Sequence, residues 1–143
     1  MGFFRHKTRK RIPIQWRITK RCLDLIFESS KSNFPQEFGA LLRVDRMNKN
    51  TIVEVVLLPG TISGDSHAIF HLHMLPVDYS VVGTVHSHPS AATFPSDADL
   101  DLFRHFGRIH LIIGVSPVGG VSWKAYNYQG AVSYTHLRAH ETV

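Results

Sequence analysis

The chain has 143 residues, of which 43% are apolar, with a mean hydropathy of −0.05 and a formal net charge of +5. That length is one domain with room for a substantial core, and no apolar run approaches the roughly 18 residues of a membrane span. A single cysteine, Cys22, excludes an internal disulfide and fits a reducing, cytoplasmic compartment.

The charge is concentrated at the start. Residues 1 to 21 hold eight of the sixteen Lys and Arg and no acid, whereas the remainder has eight basic and eleven acidic residues. Phe3 and Phe4 precede this tract without the apolar stretch of a secretory signal. Residues 1 to 11 read as a basic, solvated and partly disordered leader, and 12 to 131 as one domain. An acidic protein substrate fits the charge. Nucleic acid is disfavoured as a partner, because no recognition motif accompanies Phe3, Phe4 and Trp16, and no membrane contact is expected.

In chain order, Ile12 to Ile18 reads as a lead-in strand, and Thr19 as the N-cap of a helix through about Ser30. Cys22, Leu23, Ile26 and Phe27 share one face of that helix, so the thiol is assigned to the core. Glu37 to Val44 and Thr51 to Leu58 form a hairpin around the polar turn Asp45 to Asn50. Pro59-Gly60 breaks it, and Ala68 to Leu72 is a possible further strand. A buried strand covers Ser80 to His88, a helix Asp97 to Phe106, and strands Ile109 to Val115 and Val121 to Tyr128. The layout is α/β (α+β), a mixed β-sheet flanked by helices.

The chemistry sits in HSHPSAATFPSDAD, residues 86 to 99: His-x-His, seven residues, Ser, two residues, Asp. Side chains two apart on a strand share a face, so His86 and His88 converge while Ser87 points away. Two histidines and a carboxylate suffice for a catalytic zinc, which takes three protein ligands and keeps a fourth position for water. Pro89 ends the strand. Ser96 then opens the helix and puts Asp99, the third ligand, in its first turn. Each half also has a plain reading: Ser96-x-x-Asp99 is a capping box, and paired strand histidines serve packing. The conjunction within fourteen positions favours the metal. For a base, the residues alone leave Glu37, Glu54, Asp65 and Asp78 open.

With Glu37 in PQEFGALL, residues 35 to 42, the set Glu37, His86-x-His88, Ser96 and Asp99 resembles the JAMM motif of MPN-domain metalloproteases. The flanking GTVHSHPS agrees, and the likeness runs from about residue 12 to 130, closest to compact archaeal and bacterial members. The resemblance implies an MPN fold, similar in architecture to the zinc-dependent cytidine deaminases. It implies one zinc per chain on His86, His88 and Asp99, with Glu37 moving protons and Ser96 donating to the oxyanion. It further implies cleavage of the peptide or isopeptide bond after the Gly-Gly tail of a ubiquitin-like modifier or sulfur-carrier protein. That modifier or its conjugates would be the partner, with the tail laid along the edge near Thr61 to Leu75. This segment looks short for the insertion by which larger deubiquitinases grip ubiquitin. Two alternatives remain: a non-catalytic MPN scaffold, and a hydrolase of peptides or small molecules using the same site. Deamination is disfavoured, since His-x-Glu and Pro-Cys-x-x-Cys are absent.

The other histidines are weaker. His71 and His73 share a strand face but have no carboxylate or cysteine at a telling distance. His67, His105 and His110 read as structural or surface residues. His136 and His140 have the spacing of helical zinc ligands, but VSYTHLRAHETV, residues 132 to 143, resembles translated sequencing-adapter read-through. On that reading the native chain stops near Ala131, the last twelve residues carry no evolved role, and a native C-terminal strand is missing.

Overall fold

The computed structural model describes residues 14–57 and 78–133, and the backbone of Arg138–His140. The basic leader, the possible strand at Ala68 to Leu72, Asp65, His67, His71, His73, the edge at Thr61 to Leu75, and His136 all lie outside the described residues.

Strand β1 (Arg17–Thr19) runs directly into helix α1 (Lys20–Asn33). Thr19 ends the one and caps the other, its Oγ1 accepting from the Cys22 N–H at 3.2 Å. Cys22, Leu23, Ile26 and Ser30 form the buried stripe of α1. Ser30 tolerates burial because its hydroxyl donates to the Ile26 carbonyl at 2.8 Å. The helix passes the expected stop at Ser30 and ends at Asn33, whose side chain donates to the Ser29 carbonyl.

Strands β2 (Gly39–Val44) and β3 (Thr51–Val56) form the expected antiparallel hairpin. Strand β4 (Val81–His88) pairs antiparallel with β2, Gly39 opposite His86. Helix α2 (Asp97–His105) then carries the chain to β5 (Ile109–Val115), which runs parallel to β4. Strand β6 (Val121–Asn127) returns antiparallel to β5. Among the described residues the sheet order is β6-β5-β4-β2-β3-β1-β7, with β7 (Arg138–His140) parallel to β1. Val132 bridges Tyr126, and Arg138–His140 pairs with β1 at the sheet edge.

Each face of the sheet carries one helix. Cys22, Leu23 and Ile26 of α1 join Ala40, Leu42, Val85, Leu111 and Ile113 in the larger core. Leu102 and Phe103 of α2 join Leu41, Ile112 and Tyr126 in the smaller one. Strand β5 is buried along its whole length, which explains why all its residues but His110 are apolar. The alternation of β4 therefore decides the site. His86 and His88 face α2, while Val85 and Ser87 face α1.

Several strand ends differ from the sequence expectation: β1 is Arg17–Thr19 rather than Ile12 to Ile18, β4 begins at Val81 rather than Ser80, and β6 ends at Asn127 rather than Tyr128. Strand β3 stops at Val56, and Leu57 beyond it is exposed. Strand β2 begins at Gly39 rather than Glu37, because the Phe38 N–H leaves the backbone ladder for the hydroxyl of Ser87.

Candidate metal centre

The centre forms where the C-terminal end of β4 meets the N-terminus of α2. His86 Nε2 lies 3.2 Å from His88 Nε2 and 3.1 Å from Asp99 Oδ1. His88 Nε2 lies 3.3 Å from Asp99 Oδ2. Bonds of 2.0–2.1 Å at a tetrahedral angle put neighbouring ligand atoms about 3.3 Å apart. The two histidine nitrogens hold that spacing to each other, and each holds it to one oxygen of Asp99, Oδ1 for His86 and Oδ2 for His88.

The tautomer of His88 agrees with a ligand. Its Nδ1 sits 3.1 Å from the Ala92 carbonyl, which can only accept, so the ring proton belongs on Nδ1. In the neutral ring Nε2 then carries the lone pair that metal coordination requires, and in the protonated ring the same nitrogen donates to Asp99. The Nδ1 of His86 is buried and has no hydrogen-bond partner among the described residues.

Asp99 has two jobs at once. Its backbone N–H donates to Ser96 Oγ at 3.1 Å, and its Oδ2 accepts from the Ser96 N–H at 2.9 Å. This is the complete capping box that the sequence pattern offered as the plain reading. The box leaves Oδ1 free to face His86, so capping and ligation are compatible. Burial pushes the Asp99 carboxyl up, but the hydrogen bonds to His86 and His88, the His86 charge and the Ser96 N–H hold it well below the usual carboxylate range. In turn, the hydrogen bond to Asp99 raises His88 against burial, with the Ala92 carbonyl and the charges of Asp99 and Glu37 adding to it. These residues fit a single zinc ion, with three converging donors of the right chemistry and tautomer.

Glu37 is half-buried just before β2, close enough for its charge to act on His88. Ser96 is exposed, and because its oxygen accepts from Asp99, its hydroxyl proton is free to donate elsewhere. The rival carboxylates Glu54 and Asp78 lie elsewhere. Both pair with Arg43, at 2.9 and 3.4 Å, near the opposite end of β4.

The loop between His88 and Ser96 is held down by residues the sequence reading passed over. Tyr126 Oη donates to the Thr93 carbonyl at 2.6 Å, and Ser122 Oγ to the Ala91 carbonyl at 3.3 Å. Gly114 makes room, since a Cβ there would lie 2.8 Å from the Ala91 oxygen. Neither Tyr126 nor Gly114 has a local sequence signal; Gly114 acts through the register of β5 with β4, and Tyr126 through that of β6 with β5. His110 is fully buried against α2, stacked on Phe103 at 4.2 Å and 2.8 Å from Thr84 Oγ1. His105 is the surface residue it was expected to be. Cys22 is buried and its thiol is pushed up to about 11 by desolvation and the charge of Glu54, so it is unreactive at neutral pH.

Residues 19–126 match the family of prokaryotic homologs of the JAB domain. The chain belongs to this JAB (JAMM/MPN) family. A probable metalloprotease of Haloferax volcanii is 39% identical over 123 residues, covering 80% of this chain and 74% of that protein. Among solved structures, a JAB1/MPN domain protein from Archaeoglobus fulgidus is 36% identical with a TM-score of 0.64, covering 85% of this chain and 97% of its own. A structure described as a JAMM metalloprotease-like zinc site in the proteasome and signalosome is 32% identical with a TM-score of 0.63, covering 88% and 99%. The JAMM fold, the mixed sheet with its two helices and the zinc-type donor set are thus common ground between sequence, structure and relatives. The chain is a JAMM-type, metalloprotease-like protein. No helix among its described residues is long and apolar enough to cross a membrane.

Proposed function

We propose that this JAMM protein is a cytoplasmic zinc peptidase or isopeptidase. Its substrate is the bond that follows the Gly-Gly tail of a ubiquitin-like modifier or sulfur-carrier protein. The observation that carries the reading is the preset spacing of His86, His88 and Asp99 beside an ionisable carboxylate, Glu37, that is not itself part of the cluster.

His86, His88 and Asp99 would hold a zinc ion whose Lewis acidity would lower the pKa of water and polarise a carbonyl. The protein's own groups do the rest. Glu37 takes a proton from the attacking water and returns it to the departing amine. Ser96 donates its hydroxyl proton to the oxygen on which charge develops, while its own oxygen stays fixed by Asp99. The Tyr126–Thr93 and Ser122–Ala91 bonds fix the loop that carries the chain from His88 to Ser96, so both stay aligned without reorganisation.

The test pairs metal analysis with cleavage of a fluorogenic ubiquitin-like Gly-Gly conjugate. One zinc per chain and cleavage abolished by chelator support the proposal. Zinc without cleavage of any Gly-Gly conjugate defeats the substrate assignment. Cleavage of short unrelated peptides at higher efficiency would redirect it to a general peptidase.

A further inference from the structure

The ladder between β2 and β4 ends in an exchange that a regular antiparallel pair does not make. Gly39 stands opposite His86, and one step beyond, the Ser87 N–H donates to the Phe38 carbonyl at 2.9 Å. The return bond does not go to the Ser87 carbonyl. The Phe38 N–H donates instead to Ser87 Oγ, at 2.7 Å. Ser87 is 1% exposed and sits between the two histidines with its side chain on the other face of the sheet. Phe38 is buried too, its side chain in the core that packs against α1.

The Phe38 nitrogen belongs to the peptide unit that joins it to Glu37. Fixing that nitrogen fixes the backbone from which the Glu37 side chain departs. We infer that Ser87 is a positioning residue that holds Glu37 at the metal centre, its hydroxyl anchoring the Glu37–Phe38 peptide to the strand segment that presents His86 and His88. A carbonyl acceptor would have extended the ladder straight through Glu37. A side-chain acceptor ends the ladder at Gly39 and lets the chain turn while still tied to β4. One residue thereby sets the base and the two ligands in a common frame. The electrostatic effect of Glu37 on His88 agrees with this placement.

The inference rests on the reading of Glu37 as the proton carrier. A merely structural hydroxyl, satisfying a buried donor, would affect stability and leave turnover of the folded enzyme alone. The test uses the full chain with Ser87→Ala and Ser87→Thr, measuring zinc content, melting, kcat and KM on the Gly-Gly conjugate, and hydrogen exchange at the Phe38 amide. Ser87→Ala is expected to keep its zinc and hold KM within about twofold while kcat falls roughly 10–100-fold, the scale of a small misplacement. Exchange at Phe38 should quicken by about tenfold or more. Ser87→Thr, which keeps the oxygen, should restore both. Where threonine does not fit, Ser87→Cys, near serine in size and a weak acceptor, should fall between wild type and alanine on both readouts. Unchanged kcat in folded, zinc-loaded Ser87→Ala overturns the inference, as does unchanged exchange at Phe38. If the wild type holds zinc and cleaves nothing, the functional proposal fails separately, and the exchange measurement still decides the Ser87–Phe38 anchor.

Discussion

The two ends of β4 each carry a cluster of charged residues, and they are not equivalent. At the C-terminal end His86, His88 and Asp99 have side-chain exposures of 2%, 16% and 11%. At the other end Arg43, Glu54 and Asp78 have exposures of 34%, 53% and 45%. The first draws on one strand and the first turn of a helix, the second on two adjacent strands and the turn just before β4. At the exposed end water screens the charges, and each group would be nearly as well solvated alone. At the buried end the groups have given up water for one another, so their spacing and protonation are set by the fold. Chemistry belongs where desolvation and convergence coincide. Proximity of opposite charges is not enough.

That contrast can be broken most directly at the ligands. Replacing His88 with Ala should remove the bound zinc and all chelator-sensitive cleavage, measured by metal analysis and turnover. Zinc retained at full stoichiometry in that variant would put the metal somewhere else. Glu37→Ala sharpens the comparison within the site itself. It should keep the zinc and lose roughly 10²–10⁴-fold in kcat, the usual contribution of a proton carrier.

His110 extends the contrast to pH. Burial, and secondarily the charge of His86, lower it to about 3, against weaker support from the carbonyls of Phe106 and Phe103. Its folded pKa lies below the unfolded value of about 6.5. The stabilisation is therefore complete above pH ~6.5 and is lost as pH falls from there through about 3. Thermal melting across that window should lose stability in acid, and His110→Phe, which keeps a stacking ring, should flatten the loss. A slope unchanged by the substitution would assign the acid sensitivity to other groups.

Tyr126→Phe should cost about 1–3 kcal/mol by leaving the buried Thr93 carbonyl without its donor. It should lower kcat more than Tm suggests, because the loop it releases leads to Ser96. Smallest of all, Arg43→Met should move Tm by no more than about 1–2 °C and leave zinc content and turnover alone. A large loss of activity there would erase the distinction between the two ends of the strand.

The local sequence carried a good deal of this. Alternation in β4 put His86 and His88 on one face, the capping box placed Asp99 in the first turn of α2, and the apolar residues of Ile109 to Val115 marked β5 as a strand. These features follow from periodicity, caps and prolines, which act over a few residues and are legible without neighbours. What was not legible depended on partners distant in the chain. From residue chemistry alone Glu37 could not be separated from Glu54, Asp65 and Asp78. The resemblance to the JAMM motif singled it out, and the fold puts Glu54 and Asp78 beside Arg43. The early end of β2, the clamp from Tyr126 to Thr93 and the space at Gly114 all arise from contacts spanning dozens of positions.

The sequence by itself determined the donor set, the strand and helix that carry it, and the absence of a disulfide, because residue type and short-range periodicity settle those. Only the tertiary structure decided which histidine is sealed under α2 and that Glu54 and Asp78 pair with Arg43. It also decided that a serine between two ligands faces the other way and ties Phe38 down. Those outcomes depend on register between strands, and register is fixed by the packing of both sheet faces at once.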